Sequence, residues 1–170
     1  MNLTLEQVVQ LLQLEPLPLE GGFFHQTYKS TETISPEALP ARYQQPMSFG
    51  TAIYAALTAA DFSAMHRLDT DEIYHFYLGD PLEMLLLHPH GSGEVVILGT
   101  DLQSGMQPQK VVQRGVWQGS RPAAGGTYGY SLFGTTMAPG FEWNSFELGQ
   151  TDPLIREYPV FAEMIKARVR

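Results

Sequence analysis

The chain has 170 residues, which fits one ordinary domain and lets folding hide roughly 70% of the surface an unfolded chain exposes. Apolar residues make up 44%, charged residues 16% and the net charge is -8, a balance that argues against disorder and against a general attraction to nucleic-acid phosphates or anionic lipid. With no cysteine, a disulfide framework, a thiolate metal site and a cysteine nucleophile are excluded, and a reducing compartment, the cytoplasm, is expected.

The opening stretch MNLTLEQVVQLLQLEP carries no positive charge ahead of its apolar positions, so it does not read as a secretory signal. Thr4 is placed to cap a helix with Gln7 as reciprocal partner, and Leu5, Val8, Val9 and Leu12 share one face. Pro16 and Pro18 end it. EGGFFHQTYKS has the composition of a strand, and the polar, proline-containing segment from Ser30 to Pro46 reads as a long surface loop.

From Phe49 to Phe146 short β-prone runs alternate with turn signals: TAIYAALT, FSAMHRL, EIYHFYL, LEMLLLH, EVVILG, QKVVQ, VWQGS and TYGYSLFGTTM. Such spacing predicts an antiparallel sandwich or barrel. TAIYAALTAA is too short for the roughly 20 apolar residues of a membrane-spanning helix. The tail DPLIREYPVFAEMIKARVR returns to helix, with Pro159 in a first turn, Phe161, Met164 and Ile165 on one face, and Lys166, Arg168 and Arg170 at the negative end of the dipole.

One stretch of this body is chemically suggestive: in HRLDTDEIYHFYLG, His66 to Gly79, a glutamate follows the histidine by six residues and a glycine follows that by seven. It resembles the first motif of the cupin superfamily, which has two histidines, a glutamate and a glycine where this chain has His66, Leu68, Glu72 and Gly79. QRGVWQ resembles the second motif, with Gln113, Gly115 and Gln118 where the family has proline, glycine and histidine. The whole chain is similar to the small uncharacterised single-domain cupins of the Cupin_5 type, related to the sugar-epimerase-like branch. That resemblance implies a mainly β fold: an antiparallel jelly-roll β-barrel with short helices at the N- and C-termini, one domain over 1–170 with its barrel core at about 49–146. It also implies a homodimer and a pocket inside the open end of the barrel. The apolar strand EMLLLH adds to the dimer expectation, because it offers more apolar surface than one small barrel needs.

In metal-binding cupins the two histidines and glutamate of the first motif and the histidine of the second hold the ion. Carried over, His66, Glu72 and Gln118 are the metal candidates here, while Leu68 cannot ligate; two good ligands and one amide would hold a divalent transition metal only loosely. The bland alternative is a histidine hydrogen-bonded to Glu72 or backbone, a paired carboxylate and an amide satisfying a neighbouring strand. Alternation along the strand puts Tyr74 and Phe76 on the same face as Glu72, and Ile73, His75 and Tyr77 on the other. Likewise Val116 and Ser120 share the face of Gln118, and Trp117 lies opposite, packed under the N-terminal segment or a partner subunit. The expected ligand-binding set is therefore His66, Glu72, Tyr74, Phe76 and Gln118. Tyr28, Tyr54, Arg67, Arg114 and Arg121 are secondary candidates, and Phe141 and Glu142 read as turn and edge residues before pocket rim.

As chemistry, His66 reads as a base, Glu72 as its orienting partner and Tyr74 as the opposing acid. This gives a metal-independent isomerase or epimerase acting on a carbohydrate-like or other small polar substrate. Two alternatives stand beside it: a non-catalytic small-molecule-binding module and a weakly metal-dependent cupin enzyme.

Overall fold

The computed structural model describes residues 3–170. Helix α1 spans Leu5–Leu12, and the Thr4 hydroxyl accepts from the Gln7 backbone while Gln7 Oε1 accepts from the Thr4 backbone, closing the predicted capping box. The strands follow as β1 Glu15–Pro16, β2 Phe23–Lys29, β3 Thr33–Ile34, β4 Met47–Ser48, β5 Thr51–Thr58, β6 Ser63–Leu68 and β7 Glu72–Gly79. Then come β8 Leu82–Leu87, β9 Gly93–Leu98, β10 Gln109–Val112, β11 Trp117–Pro122, β12 Tyr130–Met137 and β13 Phe146–Leu148. Helices α2 Thr151–Glu157 and α3 Ala162–Lys166 end the chain. None of the described helices is long and apolar enough to cross a membrane.

Six strands form one sheet in the order β1-β2-β5-β12-β7-β10, five form a second in the order β13-β6-β11-β8-β9, and β3 with β4 makes a ribbon. The strand pairs within both sheets are antiparallel, and their inner faces meet in a core of Tyr74, Phe133, Leu82, Met84, Leu86 and Val116. This is the mainly β jelly-roll barrel, with short helices at both ends, that the motifs imply. The barrel starts earlier than Phe49, because β2 lies inside the six-stranded sheet, paired along β5. The Ser30–Pro46 segment is not all loop either: it holds β3 and a short 3-10 turn at Pro36–Ala38.

The outer faces are covered by the chain itself. Helix α1 lays Val8 on Ala56, Tyr130 and Leu132 of the six-stranded sheet. Helices α2 and α3 cover the other sheet, packing Leu154, Tyr158 and Ile165 on Met65, Leu85, Leu87 and Trp117. Two expectations change here. The EMLLLH strand is apolar on both faces because one faces the core and the other the C-terminal helices, so it supplies no argument for a dimer. Trp117 lies under those same helices rather than the N-terminal segment, with the Arg67 guanidinium 4.5 Å above its ring.

Arg168 takes its expected place at the helix C-terminus, with Nη1 donating to the Met164 carbonyl at 3.3 Å. It does more than that: its side chain is 2% exposed and ion-paired with Glu83 of β8, and its carbonyl accepts from Met65 N at 2.7 Å. The tail is thereby fastened to the outer face of the five-stranded sheet.

The turn after β7 depends on two residues. Gly79 has φ +95°, and a side chain there would collide with the Tyr130 carbonyl, so glycine is required. The buried Asp80 next to it accepts from Thr127 N at 2.6 Å, Tyr128 N at 2.9 Å and Gly129 N at 2.7 Å. Asparagine would turn its NH2 toward donors it cannot satisfy. Asp80→Asn is expected to cost about 2 kcal/mol, read as a lower urea midpoint at unchanged slope; an unaltered midpoint would show that the carboxylate does not hold this loop.

Candidate functional site

At one end the two sheets part and leave a cavity of about 460 Å³, within the range of small-molecule pockets. Its inner wall comes from Thr51 and Ile53 of β5, His66 and Leu68 of β6, Glu72 of β7, and Thr135 and Met137 of β12. The mouth is formed by Glu15, Leu17, Glu20, by Phe24, His25, Gln26 and Lys29 of β2, and by Phe141, Glu142 and Trp143.

At the floor, register brings three side chains together. Gln118 of β11 pairs directly with His66 of β6, and Glu72 reaches across from the facing sheet. Gln118 Nε2 lies 2.7 Å from Glu72 Oε2 and 3.1 Å from His66 Nε2, while His66 Nδ1 lies 2.8 Å from the Ala64 carbonyl. A carbonyl only accepts, so Nδ1 carries the proton; the amide NH2 only donates, so Nε2 offers its lone pair. His66 is thus the neutral Nδ1-H tautomer, and Gln118 gives one hydrogen to the imidazole and the other to the carboxylate. The ring is 1% exposed and stacked on Phe146 at 5.1 Å.

This arrangement reassigns the expected roles. Both nitrogens of His66 are committed to the protein, so the imidazole lines the cavity without a free lone pair for a substrate proton, and its part as base is corrected. Tyr74 is 2% exposed and stacked on Phe133 at 5.5 Å; its phenol sits in the core beside Glu72 and is not on the cavity wall. Burial first, and the neighbouring Glu72 charge after it, push that phenol well above the ordinary tyrosine range, which makes it a poor acid. Phe76 packs against the same core, and Gln118, 1% exposed, lies behind the cavity wall. Of the five expected residues, His66 and Glu72 line the cavity.

Glu72 is the buried carboxyl on the cavity wall. It is 7% exposed, and burial raises its carboxyl above the ordinary range against the opposing hydrogen bonds of Thr135 and Gln118. A buried carboxyl with a raised pKa on a cavity wall is suited to general acid–base work near neutral pH.

The sequence did not single out the lining residues from β1, β2 and β12, because β2 reaches the site only through its long-range pairing with β5. Phe141 and Glu142 belong to the mouth, and Trp143 joins them, edge-on to Phe141 at 5.1 Å. Tyr28 is exposed on the surface and Tyr54 faces α1. Arg67, Arg114 and Arg121 do not line the cavity; Arg67 is instead paired with Glu147 at 2.7 Å.

The sequence profile of the family described as Cupin superfamily (DUF985) matches residues 6–149. The chain belongs to the cupin superfamily. Among solved structures, it is similar over 98% of its length to 99% of a hypothetical protein from Leishmania major, with 28% identity and a TM-score of 0.86. A protein from Shewanella oneidensis is matched over 99% of both chains, with 29% identity and a TM-score of 0.86. Oxalate decarboxylase from Bacillus subtilis shares the fold at 12% identity and a TM-score of 0.52, over 91% of this chain and 37% of that one. No curated protein matches the chain.

The residues at the cupin metal position do not fit an ion. Leu68 brings no donor atom, and the Gln118 NH2 group, a hydrogen donor, points at both His66 Nε2 and Glu72 Oε2, filling the space a cation would share with them. Among the described residues no cluster of three His, Cys, Asp or Glu side chains is placed to hold a metal. Protein purified without chelator is therefore expected to carry less than about 0.1 transition-metal ion per chain by mass spectrometry. Stoichiometric metal would refute this reading of the Gln118 amide.

Proposed function

We propose that this cupin pocket isomerises a small polar, carbohydrate-like carbonyl compound by a proton shuttle that uses no resident metal. Support comes from one observation above the others: Glu72 is a buried carboxyl, raised above the ordinary range, that reaches the cavity while the Gln118 amide fixes one of its oxygens. In this reading the carboxylate takes a proton from the hydroxyl-bearing carbon beside the carbonyl, the hydroxyl proton passes through water to the carbonyl oxygen as the enediol forms and rearranges, and the Glu72 acid returns its proton to the former carbonyl carbon. Gln118 steadies the carboxylate, and His66, locked by Ala64 and Gln118, steadies Gln118.

A two-base epimerisation needs a second proton-handling group on the opposite face of the substrate. Tyr74, the expected candidate, is packed into the core, which favours one-base isomerisation over epimerisation. The same observation favours a second reading, a pocket that binds its ligand without changing it. Proton NMR in D2O separates them: a panel of aldoses, ketoses and their amino and acid derivatives is incubated with the protein. Deuterium entering one substrate at the carbonyl-adjacent carbon with wild-type protein, and not with Glu72→Gln, supports the isomerase. Binding without incorporation supports the binding module and sinks the catalytic reading.

A further inference from the structure

We infer that the occupant of this pocket is a small organic cation, a hydroxylated amine of the amino-sugar type, held by its ammonium group among carboxylates and by its body on an aromatic wall. The inference rests on the reading of the cavity as a ligand pocket and adds the charge of its ligand. Four glutamates, Glu15, Glu20, Glu72 and Glu142, face the same space as a single lysine, Lys29. Lys29 is spent on Glu142, with Nζ 2.6 Å from Oε1. Among the described residues no Lys or Arg lies within ion-pair distance of Glu15, Glu20 or Glu72.

Two of those three are built into the structure. Glu20 is held in place by the Ser63 hydroxyl, which donates to Oε1 at 2.6 Å, and by its own carbonyl, which accepts from Ala64 N at 2.9 Å. Glu72 is over nine-tenths buried, with Oε2 on Gln118. The two carboxyls lie close enough that the Glu20 charge adds to burial in pushing Glu72 upward. Such like-charged groups around a cavity are costly until a cation enters, and low-dielectric walls focus their field. An anionic ligand would meet the same field as repulsion.

The rest of the wall suits an ammonium-bearing ring. Phe24, Phe141 and Trp143 line the cavity, with Trp143 edge-on to Phe141 at an interplanar angle of 81°, and offer cation–π and stacking contact. His25 and Gln26 on β2, and Thr51 and Thr135 inside, supply hydrogen-bonding groups for hydroxyls.

A size-matched trio tests this at pH 7, where an amino-sugar ammonium is mostly charged and histidine is ordinarily mostly uncharged: glucosamine, glucose and glucuronate, titrated while the fluorescence of the rim Trp143 is followed, with Trp143→Phe as control. Glucosamine is expected to bind at least tenfold more tightly than glucose, and glucuronate more weakly than both. Glu15→Lys, an exposed side chain on a strand that pairs through its backbone, and Glu20→Gln, both checked for unchanged circular dichroism, should each reduce the glucosamine preference severalfold. Equal binding of glucosamine and glucose, or tighter binding of glucuronate, overturns the cation assignment and leaves the pocket reading standing. Failure of all three to bind counts against the pocket reading and the inference together.

Discussion

Glu72→Gln is expected to lower turnover by a factor of about 1,000 or more while the barrel stays folded, because it removes the one proton-transfer group the cavity wall presents from the interior. The amide keeps the size of the side chain and can still accept from Gln118, so the loss is chemical. His66→Ala should cost less, about tenfold, since His66 acts by positioning Gln118. If His66→Ala proved the more damaging, the reassignment of the base would be wrong. The same substitution also has a signature in stability. A carboxyl whose folded-state pKa is raised binds more protons folded than unfolded between the two values, so its contribution is full at acidic pH and is lost as pH rises toward the folded value. Glutamine does not titrate. The melting temperature of Glu72→Gln relative to wild type should therefore climb as pH rises above the value of about 4.3 at which a solvated glutamate ionises, whereas a parallel pair of curves would mean that Glu72 is not desolvated.

The largest effect on stability is expected on the outer face of the five-stranded sheet. Glu83→Ala leaves the buried Arg168 guanidinium without its counter-ion, its side chain 2% exposed and its Nε already without a partner. Burial lowers the Arg168 pKa from the ordinary arginine range and Glu83 offsets that cost, so removing the glutamate exposes the full desolvation penalty. A loss of about 3–5 kcal/mol follows for breaking a buried pair from one side, or about 10 °C in melting temperature for a chain of this size. Replacing both partners, as in Glu83→Leu with Arg168→Met, should recover most of the loss. A Glu83→Ala variant within 1 kcal/mol of wild type would show that the tail is not pinned by this pair.

The fold was readable from local features wherever local chemistry decides the outcome. Thr4 and Gln7 cap α1 because both partners lie within one turn, and the period-2 alternation of Glu72, Tyr74 and Phe76 places all three inward. What alternation does not carry is depth along the strand: Glu72 faces the cavity, while Tyr74, two residues further in, faces solid core. The convergence of His66, Glu72 and Gln118 could be anticipated from the motif spacing, but the direction of the Gln118 amide could not, since it follows from which atoms face it across two sheets. The mouth of the cavity was hardest to anticipate, because β2 joins the sheet through pairing with a strand more than twenty residues later. Arg168 was legible only in part: its position predicts the bond to a last-turn carbonyl, but not its burial, which only the distant Glu83 makes tolerable.

A cupin barrel in which an amide stands at the metal position is a different instrument from one that holds an ion. With Leu68 apolar and Gln118 donating, the polar floor is reduced to one carboxyl in a cage of neutral partners, with acidic and aromatic groups around its mouth. The account therefore depends on the protonation of that carboxyl. Carbon-13 NMR of protein labelled at the glutamate carboxyl carbons, with the Glu72 signal identified by its loss in Glu72→Gln, follows it directly through a pH titration. The account predicts a midpoint clearly above the value of about 4.3 that a solvated glutamate shows; a Glu72 signal that titrates at or below that value would contradict it.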